Sequence, residues 1–135
     1  MIVSADVRFA TGMSEARVIY AIGIVRATAR ALSQALRNLK LDPMAVRVDL
    51  DGLLHAPKQF KHQHTIVKGD EKEVPIALVS IAAKVTRDRL MRERAHPYPE
   101  YGFERHVGYG TKKHYEAITK NGLTDLHRRS FVHIR

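Results

Sequence analysis

The sequence predicts an α/β protein, on three observations. Apolar residues recur at helical spacing through Ile24, Ala27, Thr28, Ala31, Leu32, Ala35, Leu36 and Leu39. Val46, Val48 and Leu50 alternate with Arg47 and Asp49, the two-residue period of a strand. A second long helical stretch runs from residue 74 to about 94, with Pro75 in its first turn, where a missing N–H costs nothing.

The other elements follow in chain order. Residues 7–11 predict a short strand. Ser14 predicts the N-cap of a short helix running through Tyr20, which Gly23 interrupts. Asp42-Pro43 ends the helix over 24–39, and the strand over 46–50 comes next. Residues 65–67 predict a second short strand. Thr111 predicts the cap of a last helix, and Asn121-Gly122 its stop. No repeat, low-complexity tract or interior linker stands out, so the 135 residues are expected to form one domain.

Composition narrows the function classes. The chain has no cysteine, which excludes disulfides and thiolate metal sites. It has no 18-residue apolar run, and its first residues lack a basic-then-apolar leader, so a cytoplasmic location is expected. Lys and Arg number 23 against 14 Asp and Glu, a net charge of +9, with eight His besides. That excess favours a polyanionic partner through long-range attraction and counterion release; a basic but uninvolved surface is the competing reading.

Several residues could carry chemistry. Asp51 ends the first clear strand, just before Gly52, and Asp70 follows the second in Lys68-Gly69-Asp70. Carboxylates at the carboxyl ends of neighbouring α/β strands face the crevice where such folds hold ligands. Two that converge there offer hard oxygen donors for Mg²⁺ or Mn²⁺. Ordinary turn chemistry is the alternative, because Asp-Gly and Gly-Asp are common loop dipeptides. Asp49 shares the strand face of Asp51 and competes for the ligand role. The helix over 74–94 is apolar nearly all round, which predicts burial. Ser80, Lys84 and Arg87 share one stripe, and Asp88 sits where it can pair with a buried Lys84. That pair is either structural or a support that orients the carboxylates. Gly108-Tyr109-Gly110 lets the backbone approach a ligand, and Tyr109 offers a ring and a hydroxyl that could stack on a sugar and bond a 2′-OH. A tyrosine packed under a helix start is the plainer account. Thr111, Lys112 and Lys113 at a helix start, with Arg128 and Arg129 beyond it, suggest a phosphate track or a solvated basic face. His62 and His64 read as surface residues.

Four blocks, V-K-G-D-E-K-E-V-P, S-I-A-A-K-V-T-R-D-R, Y-G-F-E-R-H-V-G-Y-G-T-K-K-H and H-R-R-S-F, occur in this order from Val67 onward. In order and spacing they resemble bacterial ribonuclease HII, and the chain would correspond to the C-terminal two thirds of that family. The resemblance implies a partial ribonuclease H-like fold with a helical C-terminal extension. Residues 1–95 would form the α/β core portion and 96–135 a substrate-binding helical region. It implies endonucleolytic hydrolysis of RNA in RNA–DNA hybrids, and nicking at ribonucleotides embedded in DNA, with Mg²⁺ or Mn²⁺. Asp51 and Asp70 would be catalytic metal ligands, with Ser80, Lys84 and Asp88 supporting them. Tyr109, in H-x-G-Y-x-T, would stack on the ribose at the junction, beside Gly108, Thr111, Lys112, Lys113, Arg128 and Arg129. The family's opening D-E-x-G-R-G does not occur in these 135 residues. An incomplete active site is therefore expected. Other readings are a non-catalytic nucleic-acid-binding remnant, one half of a split enzyme, or a reading frame starting upstream.

Overall fold

The computed structural model describes residues 8–52 and 54–132. They contain α1 (Ala16–Ile22), α2 (Ile24–Leu39), β1 (Arg47–Asp51), β2 (His62–Ile66), α3 (Gly69–Lys72), α4 (Val74–Glu93), α5 (Phe103–His106) and α6 (Lys112–Asn121). Single 3₁₀ turns occupy Pro99–Tyr101 and Arg129–Phe131. The chain divides into two compact units, 1–14 with 25–81, and 15–24 with 82–135.

In the first unit β1 and β2 form a two-stranded parallel sheet, with Arg47 opposite His62 and Asp51 opposite Ile66. Leu36 of α2 packs with Leu50, Ala56 and Phe60, and Leu32, Val46, Val48 and Leu54 close around them. Gln63 secures the connection between the strands. Its amide oxygen accepts the Ala56 N–H at 2.9 Å, and its amide nitrogen donates to the Phe60 carbonyl at 2.7 Å. β1 matches its expected span to within one residue. β2 begins three residues before the expected strand and ends before Val67. His62 and His64 are exposed on it, so this strand carries little of the apolar alternation that a sequence reading relies on.

The strand expected at 7–11 is not formed over the described residues 8–11; Val7 lies outside them. This segment instead lies against α2. The Thr11 carbonyl accepts from the Asn38 side chain, and the Met13 N–H donates to Gln34 Oε1. A Cβ on Gly12 would fall 1.7 Å from the Ala31 carbonyl oxygen, so only glycine allows this approach. Backbone groups satisfied by a helix face have no need of a sheet. Ser14 belongs to the same arrangement. It does not cap α1, whose N-cap is Glu15, but donates to the Ala27 carbonyl at 2.8 Å.

α4 has the expected length but not the expected burial. Ile76 is its buried residue, whereas Val74, Leu78, Val79, Ile81 and Val85 are 58–71% exposed. An apolar periphery predicts burial only when another layer covers it, and none of the described residues does so here.

The second unit is built around aromatic rings. Ala95, Tyr101, Phe103 and Ile118 form its core, with Met91, Tyr98, Ala117, Leu126 and Val132 packed against them. Tyr101 and Phe103 stack with centroids 5.4 Å apart, and the Tyr101 hydroxyl donates to the Gly122 carbonyl at 2.8 Å. α6 runs as expected from its Thr111 cap to Gly122, whose φ of 83° suits a helix stop.

Candidate functional site

Asp51 and Asp70 meet through the backbone at the carboxyl end of the parallel pair. β2 ends at Ile66, opposite Asp51, and the chain turns through Lys68, held in the left-handed region at φ 56°. Asp51 Oδ1 then accepts the Gly69 N–H at 2.8 Å. Gly69 is buried, and a Cβ there would press to 2.7 Å from Ile76 Cδ1. Asp70 is the next residue, exposed in the first turn of α3. Asp51 and Asp70 thus lie on adjoining segments of the chain at this edge. Asp51 Oδ2 accepts no hydrogen bond from the described residues.

Asp49 is engaged elsewhere. Its Oδ2 accepts from Arg47 at 2.8 Å, and His64 Nδ1 stands 3.8 Å from Oδ1, which has no hydrogen-bond partner among the described residues. Of the two aspartates on β1, Asp51 is the one that no cation holds among the described residues. As hard oxygen donors, Asp51 and Asp70 suit Mg²⁺ or Mn²⁺ in kind. In number they fall short, since no three metal-ligating side chains converge among the described residues. An open depression lined by Met44, Arg47, Lys61, His62 and His64 lies at the opposite, amino-terminal end of the strands.

The pairing expected on α4 is not made. Lys84 is exposed, and Asp88 pairs with its neighbour Arg87 at 2.9 Å. With Lys84 in water, nothing compels it to find a carboxylate. Ser80 is exposed as well.

The Tyr109 loop belongs to the second unit, and it joins a fixed backbone to an open ring. α5 ends at Val107, whose φ of 44° is a left-handed conformation that a β-branched residue rarely adopts. Gly108 follows at φ 82°, where a Cβ would meet Met91 Cε at 3.1 Å and Arg87 Nη2 at 3.4 Å. The Tyr109 N–H donates to the His106 carbonyl at 2.8 Å. Its own carbonyl accepts from the Thr111 N–H and from His114 Nδ1, each at 2.8 Å. The residue is nonetheless 52% exposed, and the Arg87 guanidinium lies 4.9 Å from its ring centroid. Thr111 caps α6 by accepting the His114 N–H at 3.3 Å. Lys112 and Lys113 stand exposed on the first turn, Lys112 3.8 Å from Glu116. Arg128 and Arg129 are exposed too, Arg128 over the Phe131 ring at 5.8 Å.

Three histidines beneath this loop escaped the sequence reading. His114 and His127 are buried, with Nε2 atoms 3.1 Å apart, and His106 stacks on His114 at 4.5 Å. Burial, first, pushes both the His114 and His127 imidazoles below their ordinary range, and the neighbouring imidazoles add to it. No spacing rule for metal sites selects them. The hint was that each lies within one of the motif blocks, His106 and His114 flanking the Gly-Tyr-Gly loop and His127 opening the last block. Arg87 was read as part of an α4 stripe and not as the partner of Tyr109.

Comparison with known proteins agrees with the motifs. The model of the family Ribonuclease HII matches residues 2–134. A ribonuclease HII of Bacillus cereus strain B4264 is 46% identical over 124 residues, covering 92% of this chain and 47% of that protein. Those of Bacillus cytotoxicus and Bacillus thuringiensis strain Al Hakam are each 44% identical over 124 residues. The chain spans about half the length of the curated relatives it matches.

Proposed function

Because the chain belongs to the ribonuclease HII family, we propose that it carries the substrate-reading portion and part of the metal site of a ribonuclease H-like endonuclease. Its substrates are RNA–DNA hybrids and DNA with embedded ribonucleotides, and its reaction is hydrolysis of the phosphodiester at a ribonucleotide. The observation that carries this reading is Tyr109, whose backbone is tied at both polar groups while its ring faces outward beside Gly108. A tyrosine that merely packed would bury its ring. An outward ring on a fixed backbone can lie against a ribose and single out RNA from DNA.

Lys112, Lys113, Arg128 and Arg129 supply charge to the phosphate backbone, which fixes register without reading sequence. Asp51 and Asp70 are the groups that would hold Mg²⁺ or Mn²⁺. When bound, such an ion activates water and stabilises the leaving oxygen. Asp51 keeps one oxygen on the Gly69 N–H, which orients its carboxylate. Lys84 and Ser80 are exposed, and Asp88 is paired with Arg87, so a supporting role for them would require these side chains to turn toward the carboxylates.

A second reading is favoured by the lack of a three-ligand cluster among the described residues. In it the chain binds nucleic acid without cutting it, or serves as one half of a split enzyme. The deciding assay is cleavage of a duplex containing one ribonucleotide, in Mg²⁺ or Mn²⁺. We expect the 135-residue chain to bind this duplex but cut it poorly. Adding the family's D-E-x-G-R-G segment should restore cutting, and Asp51→Asn should then abolish it. Robust nicking by the chain alone would overturn the incomplete site.

A further inference from the structure

We propose that His127, His114 and His106 form a one-directional network of neutral imidazoles that holds the Tyr109 backbone in place, and that His114 is the positioning residue for this tyrosine. The inference rests on the reading of Tyr109 as the group that contacts the sugar.

The direction of the network follows from its two ends. A backbone N–H can only donate, and that of Thr124 points at His127 Nδ1 at 2.9 Å. That nitrogen therefore carries a lone pair, and in a neutral imidazole the proton sits on Nε2. His127 Nε2–H faces His114 Nε2 at 3.1 Å, so the latter accepts. The His114 proton is then on Nδ1, where it donates to the Tyr109 carbonyl at 2.8 Å. A carbonyl can only accept, so the far end demands the same sense. The Thr124 hydroxyl lies 2.9 Å from His127 Nδ1 and accepts the Leu126 N–H at 3.2 Å, which leaves its own proton for the imidazole.

His106 is fixed in the same way. Its Nδ1 accepts the Gly108 N–H at 3.2 Å, and its Nε2 donates to the Tyr101 carbonyl at 2.8 Å. Between them His106 and His114 hold Gly108 and Tyr109. An added proton on any of the three rings would face an N–H donor and break one of these bonds.

Burial opposes such a proton on His114 and His127. Phe103 contacts all three rings, Tyr101 contacts His127, and Tyr115 contacts His114. Asp125 acts the other way, its carboxylate favouring a proton on His127, although its Oδ1 is already taken by the Tyr98 hydroxyl at 2.7 Å. Arg87 is the cation over the Tyr109 ring.

The test begins with the native chain. Long-range ¹H–¹⁵N correlation of the imidazoles at pH 7.5 should show His114 protonated on Nδ1, and His127 and His106 on Nε2. Protonation of His114 on Nε2 would overturn the proposal. The second arm uses His114→Asn, whose amide can donate near the Nδ1 position, and His114→Leu, which cannot. The Tyr109 amide resonance should move in His114→Leu and hold in His114→Asn. The affinity ratio of an RNA–DNA hybrid to the matching DNA duplex should fall about tenfold in His114→Leu, the scale of losing one stacked contact. His114→Asn should keep most of that ratio. In the native chain the ratio should also fall once the pH is low enough to protonate His114, which its burial sets below the ordinary imidazole value of about 6.5, and His114→Asn should blunt that fall. An unmoved Tyr109 resonance in His114→Leu would sink the inference. If Tyr109→Ala leaves the ratio unchanged while the resonance still follows His114, the sugar-reading role fails and the network stands.

Discussion

Substitution can separate the hydrogen bond that Asp51 makes from the ion-binding role proposed for it. Its Oδ1 holds the Gly69 N–H, and its charge would serve the ion. Asp51→Asn keeps an acceptor and should leave the urea midpoint nearly unchanged. Asp51→Ala removes the acceptor and should cost roughly 1–3 kcal/mol, the scale of stranding a buried N–H. Equal losses in the two variants would mean that charge, not the bond, holds the turn. Gly108 gives a second contrast. A Cβ at its φ of 82° would crowd Met91 and Arg87. Gly108→Ala should cost roughly 1–2 kcal/mol from the left-handed backbone alone, and should weaken hybrid preference by displacing the Tyr109 loop. Thermal unfolding and the hybrid-to-duplex affinity ratio check the two effects. Both positions were legible, because a strand ending in Asp-Gly and a Gly-Tyr-Gly loop announce themselves. The histidines were not, because a buried imidazole is recognised by what surrounds it and its partners come from distant sequence.

At the scale of elements, periodicity located helices well and burial poorly. α2 and α6 fell where apolar spacing and caps put them. The length of α4 was legible from Pro75 onward, yet its exposed valines, Leu78 and Ile81 were expected to be inside. Composition reports what a face would prefer, not whether a layer exists to cover it. β2 was read short for the opposite reason, since its polar residues face water. The aromatic unit supports two predictions. Phe103 is 1% exposed and stacked on Tyr101, so Phe103→Ala should cost about 3–5 kcal/mol and loosen α5 and α6 together. His114 and His127 both have lowered proton affinity in the fold. Below about pH 6.5 the unfolded chain takes up protons that the folded chain refuses. Stability should therefore be full above that pH and decline as acid is added through the window beneath it. Unfolding midpoints across that range should show the decline, which a His114→Asn, His127→Gln double variant should flatten.

For the whole molecule, the family was legible from four motif blocks, and the +9 charge was consistent with them. What no motif conveyed was the division into two compact units, each with its own small core. Affinity for a hybrid should drop steeply with salt. Four phosphate contacts from Lys112, Lys113, Arg128 and Arg129 give a log–log slope of about −3.6, and Lys112→Ala with Lys113→Ala should reduce it by about 2. A slope untouched by that pair would move the phosphate track elsewhere. Salt acts on this chain in a second, opposite sense. Val74, Leu78, Val79, Ile81 and Val85 stand in water along one helix, while mutual repulsion of the positive charges keeps molecules apart. Raising ionic strength shortens the reach of that repulsion from about 10 Å at 0.1 M to about 3 Å at 1 M, and sulfate strengthens the burial of apolar surface. The same addition of ammonium sulfate that strips nucleic acid from the chain should therefore drive it onto a phenyl resin or out of solution, so that its colloidal behaviour mirrors its binding with the sign reversed.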